Sequence, residues 1–93
     1  MDFSSVHNAQ EKDVFAAITA AAPSYPELAD DWELLADVAC VALNRLPVRY
    51  IRHSIDFAFY QTEQDRQESS RRIGEAVEYA FRFVQERRMT GSR

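Results

Sequence analysis

Arg45, Arg49, Arg52 and His53, with Tyr50 and Asp56 interleaved, are the densest group of chemically capable side chains in this 93-residue chain. Guanidinium presents its N–H donors in one plane, which suits phosphates, carboxylates and the edges of bases, and a neighbouring tyrosine adds a stacking face. Donors combined with aromatics in this way can recognise a nucleotide. The plainer reading of the same residues is a solvated, salt-bridged surface. Two features favour a ligand: the cluster follows directly on a helical run ended by Pro47, a stiff junction rather than a loose loop, and the aromatics alternate with the arginines.

Catalytic chemistry finds no comparable support. A nucleophilic pair could in principle be assembled from Cys40 and His53, but Cys40 lies in an apolar run that favours the thiol over the thiolate. We expect a buried, inert cysteine and no enzyme. Two glycines are too few for a dinucleotide fingerprint or a P-loop. His7 and His53 are far apart and the cysteine is alone, so no pair has metal-ligand spacing and neither metal nor cofactor is expected.

Composition sets the frame. At this length one domain, residues 1–93, is expected, with 89–93 a frayed tail. An apolar fraction of 46% with few Gly and Pro favours helices over a turn-dense β fold. A monomer this small is marginal, which makes a homodimer the expected form. The lone cysteine and the lack of any charged leader or bilayer-length apolar run point to a soluble cytoplasmic protein with no membrane contact. Net charge is −4, but unevenly spread. Residues 1–44 carry one lysine against eight acids, while residues 45–93 carry ten arginines against seven acids. The bias to arginine fits a recognition role and fits a GC-rich coding sequence equally well. With no basic recognition helix in an acidic chain, DNA binding is disfavoured.

The elements that must carry the cluster follow from periodicity and caps. The fold class expected is mainly α, with three principal helices at about 8–21, 30–46 and 62–88 and a short extended segment or hairpin near 49–60. Asn8 with Glu11 reads as a capping box opening the first helix, whose apolar stripe is Val14, Phe15, Ile18, Ala21 and Ala22. Pro23 and Pro26 mark a connection. Asp30 with Glu33 repeats the start signal for the second helix, which Pro47 ends. Its apolar residues cover nearly the whole circumference, so it is buried all round by the fold, or by the fold on one side and a second subunit on the other. Asp37 and Asn44 share a face of that helix, and both are read as structural polar residues: Asn44 tying down the loop after Pro47, Asp37 neutralising an arginine of that loop, with direct ligand contact as the alternative. Between 49 and 60 the period falls near two, a strand signal clearer for 49–53 than for 54–60. Thr62 with Asp65 is a further capping pair, and Ile73, Val77, Ala80, Phe81 and Val84 form a clean stripe. Tyr79 and Phe83 widen it into an expected second contact surface.

Read with its flanks, the junction resembles the late-competence ComFB-like family of small bacterial regulatory domains. The residues that carry the resemblance are Asn8 and Glu11, Asp37, the run Ala42-Leu43-Asn44-Arg45-Leu46-Pro47-Val48-Arg49-Tyr50, and Ile73, Val77, Ala80 and Val84. Val48 stands where the family has a second proline. Founding members carry cysteines where this chain has Asp31 and Leu34, so their zinc site is not inherited. Some members bind cyclic di-GMP or cyclic di-AMP, and the resemblance implies such a receptor here, cyclic di-GMP before cyclic di-AMP. A homodimer matches the two-fold symmetry of that ligand. Arg49 or Arg52 would hold a phosphate or a guanine edge, Tyr50 would stack, and Asp37 or Asp56 would accept from guanine N1 and N2. A transcription factor or a motility component is the kind of partner such a sensor would address; a protein adaptor without a nucleotide is the alternative.

Overall fold

Three amphipathic helices share one core in the computed structural model, which describes residues 1–52 and 62–89, the side chain of Met89 excepted. In chain order these residues form β1 (His7–Asn8), α1 (Gln10–Ala21), a 3-10 turn (Ala22–Ser24), α2 (Pro26–Ala29), α3 (Trp32–Arg45), β2 (Tyr50–Ile51) and α4 (Glu63–Met89). The fold is mainly helical, as the periodicity predicts. Residues 53–61, where His53, Asp56 and the strand-or-helix question at 54–60 fall, and the tail 90–93 lie outside the described residues.

Helix α4 is the longest element and packs on both α3 and α1. Its stripe of Ile73, Val77, Ala80, Phe81 and Val84 is buried as expected, against Val14 and Ile18 of α1 and Leu34, Val38 and Ala42 of α3. Its start is also the one read from sequence. The Asp65 amide donates to Thr62 Oγ1 at 3.0 Å and the Thr62 amide donates to Asp65 Oδ2 at 3.2 Å, so two otherwise unpaired N–H groups are satisfied reciprocally. Where the chain passes from α1 to α3, Tyr25 stacks on Phe81 with ring centroids 4.4 Å apart. This seals the end of the bundle, where Gln85 donates to the Glu27 carboxylate at 3.2 Å and Arg88 donates to the Glu27 carbonyl.

Several local expectations are corrected. Asn8 does not open α1 through a capping box: the N-cap is Ala9, without a side-chain bond, and Asn8 lies in β1. Phe15 is 49% exposed instead of joining the core. The proline segment is not a plain connection, because Pro23 and Pro26 lie at the second and first positions of helical turns, where a missing N–H costs nothing. Asp31, not Asp30, caps α3, accepting from the Leu34 amide at 3.2 Å. Asp31 thus serves as a helix cap and Leu34 as core. Cys40 is exposed, not buried. Among the described residues α3 is covered on one side, while Trp32, Ala36, Cys40 and Asn44 are exposed. Finally, the extended segment pairs with the chain's beginning: β2 runs antiparallel to β1, with His7 opposite Ile51 and Asn8 opposite Tyr50.

Candidate functional site

The geometry of the junction follows from that short pairing. Pro47 ends α3, and the chain emerging from it is held by residues some forty positions upstream. The Ala9 amide donates to the Arg49 carbonyl at 2.6 Å. Asn8 Oδ1 accepts from the Gln10 amide at 3.1 Å and from the Arg49 amide at 3.5 Å, while Gln10 Nε2 donates to the Pro47 carbonyl at 3.3 Å. Backbone groups left over at a helix start and after a proline are thereby paired. The Asn8 side chain does not cap α1; it ties the start of α1 to the junction.

Beneath this tie lies a cleft of about 280 Å³ between the start of α1, the junction and the first half of α4, lined by Gln10, Asp13, Pro47, Arg49, Asp65, Glu68, Ser69 and Arg72 among others. The lining mixes two arginines with three carboxylates. Hydrogen bonds from the Thr62 amide and hydroxyl hold the Asp65 carboxyl below the usual carboxylate range, and the charge of Arg49 adds to this. Glu68 is likewise held down, first by its hydrogen bond from Arg71 and also by Arg72, which donates to it at 3.1 Å. At neutral pH both carboxylates are therefore acceptor-only groups facing guanidinium donors.

Of the described residues singled out from sequence as ligand contacts, Arg49 alone lines this cleft. Arg45 does not point into it: its guanidinium lies 3.7 Å from the centroid of the Tyr79 ring, beside a second depression that shares Arg72, Leu46 and Pro47. With Arg87 5.4 Å over the Phe83 ring, the aromatic width of α4 is partly taken up within the chain rather than left as a free contact surface. Tyr50 and Arg52 are exposed on and just after β2. His53 and Asp56 are not described. Asp37, half-buried in the middle of α3, is not part of the cleft lining. Asn44 does not secure the loop after Pro47; its amide donates back to the Cys40 carbonyl one turn earlier, at 2.9 Å.

Sequence reasoning overlooked Gln10, Asp13, Asp65 as a site residue, Glu68, Ser69 and Arg72. One signal was available. Positions 65, 69, 72, 76 and 80 lie at helical spacing on one face of α4, and that face turns from Ala80 and Ala76 to Arg72, Ser69 and Asp65. A core stripe that becomes polar while its helix continues marks where the helix leaves the core and begins to line something else.

Neither the curated proteins nor the solved structures contain a match to this chain. The profile of the family described as late competence development protein ComFB does match, over residues 7–88, a span that takes in β1, the whole junction and nearly all of α4. The tie between Asn8 and the chain after Pro47, and the helix that closes the cleft, thus fall within one matched unit, and the chain belongs to the ComFB family.

Proposed function

We propose that this ComFB-family chain is a non-enzymatic regulatory domain that binds a cyclic dinucleotide, acts as a homodimer in the cytoplasm and passes its ligation state to a protein partner such as a transcription factor or a motility component. The observation that carries the reading is the mixed donor and acceptor lining of the cleft, Arg49 and Arg72 against Asp13, Asp65 and Glu68. Net charge on that lining is −1, which disfavours a bare phosphate. It suits a group that offers both kinds of edge. Guanine presents O6 and N7 acceptors to a guanidinium and N1–H and N2–H donors to a carboxylate. Arg52 and Tyr50, exposed on and just after β2, are then the candidates for a phosphate and a stacked ring. At about 280 Å³ the cleft lies just below the range usual for small-molecule pockets, about 300–1,000 Å³, so it takes one nucleotide of the ligand rather than the whole.

Isothermal titration of the chain with cyclic di-GMP and with cyclic di-AMP tests this directly. Binding of cyclic di-GMP is expected to be the tighter, because adenine lacks the N1–H and N2–H donors. Arg72→Ala and Arg49→Ala should each weaken it at least tenfold, as loss of a charge-assisted pair implies. No heat with either nucleotide would sink the proposal and leave the protein-binding adaptor.

A further inference from the structure

Among the described residues β2 is paired along one edge. It runs antiparallel to β1, His7 opposite Ile51 and Asn8 opposite Tyr50, and the Ala9 amide donates to the Arg49 carbonyl. Bonded and non-bonded pairs alternate along an antiparallel ladder. With Ala9 and Arg49 bonded, His7 and Ile51 are the next bonded pair, and Asn8 and Tyr50 lie between them as a non-bonded one. The N–H and C=O of Tyr50 therefore point away from β1. Among the described residues neither group has a hydrogen-bond partner.

The side chains along this edge are as open as its main chain. Val48, Tyr50 and Arg52 alternate and so share one face of the extended segment. Val48 is 65% exposed and Tyr50 68%, and Arg52 is exposed with no ion pair among the described residues. On the opposite face Arg49 lines the cleft and Ile51 is half-buried. The body of the fold thus holds one side of the strand and leaves the other to solvent.

Three features select the occupant. An outward N–H and C=O on one extended residue is matched by another extended chain, the pairing used in β-strand addition. Pro47, which has no N–H, stands just before the strand and confines such pairing to residues 48–52. Charge decides the rest: Arg45, Arg49 and Arg52 fall within eight residues, so a second copy of β2 brings like charges together, whereas a segment carrying carboxylates is attracted.

We propose that the outer edge of β2, from Val48 to Arg52, is where a partner protein docks an extended acidic segment as a third strand. The segment places a β-branched or aromatic residue beside Tyr50 and a carboxylate two positions along, beside Arg52. This rests on the partner-binding part of the function proposed above and not on the nucleotide. Neighbouring residues of one short strand then serve both: Arg49 faces the cleft and Tyr50 the partner.

Amide NMR on the full chain tests this with a defined probe, the peptide acetyl-Thr-Glu-Thr-Val-Thr-Glu-Thr-amide, whose sequence reads alike in both directions and so suits either strand orientation. At millimolar peptide the amide shifts should centre on Val48 to Arg52, and exchange of the Tyr50 amide should slow several-fold. The peptide with lysine for glutamate should bind several-fold more weakly, and Arg52→Glu should lose that preference. Tyr50→Pro removes the outward N–H without touching the ladder to β1, since a proline is accepted where an edge-strand N–H faces solvent. It should abolish binding with helical circular dichroism unchanged, while Tyr50→Thr, which keeps the amide, should bind within a few-fold of wild type. Absence of shifts at Val48 to Arg52, or a Tyr50→Pro chain that binds like wild type, would overturn the edge. Titration with cyclic di-GMP is read separately: nucleotide binding without a peptide response refutes the edge alone, and a peptide response without nucleotide binding supports the edge and refutes the receptor alone.

Discussion

Replacing Asn8 by alanine separates two accounts of how α1 begins. In the structure Asn8 Oδ1 accepts from Gln10 at 3.1 Å and from Arg49 at 3.5 Å; the second is at the outer limit of a useful bond, so the loss amounts to little more than one neutral hydrogen bond. With the side chain half-buried and water able to reach part of what is exposed, the cost should be about 1 kcal/mol. For a domain of this size that lowers Tm by about 4–8 °C. Glu11→Ala is the control. In a capping box Glu11 reaches back to the Asn8 amide and its removal costs about as much as removal of Asn8. In the observed arrangement Glu11 is an exposed first-turn acid, and its loss should cost at most a few tenths of a kcal/mol through the helix dipole, offset by the better helix propensity of alanine. Thermal and urea unfolding give the two values, and amide hydrogen exchange locates the effect: Asn8→Ala should speed exchange at Arg49, on the far side of the tie. Equal costs for the two variants, or an Arg49 amide indifferent to Asn8, would refute the tie.

Gly74→Ala should stabilise the chain by about 0.4–1 kcal/mol, since a Cβ there meets nothing within 4 Å and the site is exposed inside α4; unfolding in urea checks it, and a loss of stability would contradict that open space. Acid unfolding should report the start of α4. The folded Asp65 carboxyl titrates below its ordinary 3.8, so its contribution is complete above that value and is lost as pH falls through the folded one; Thr62→Ala, which removes the hydroxyl that helps hold this carboxyl down, should flatten the stability profile in that window, and an unchanged slope below pH 4 would be the contrary result.

What was legible in the sequence was whatever depends on neighbours along one helix. The start of α4 at Thr62 and its buried stripe depend on residues three to eight apart, and both stand in the structure as read. Asn8 was misread because the same side chain serves equally as a capping-box residue or as an acceptor shared between the Gln10 amide and a distant backbone, and the second of its partners, the Arg49 amide, is 41 positions away. The cleft was hidden for the same reason. Arg49 was visible as part of a local cluster, whereas Arg72, Asp65 and Glu68 look like the solvated face of a charged helix until α1 and Pro47 are laid against them. Cys40 and Asn44 failed for a different reason: apolar neighbours along a helix do not say which side of it the fold covers, and the exposed side of α3 is nearly as apolar as its buried side.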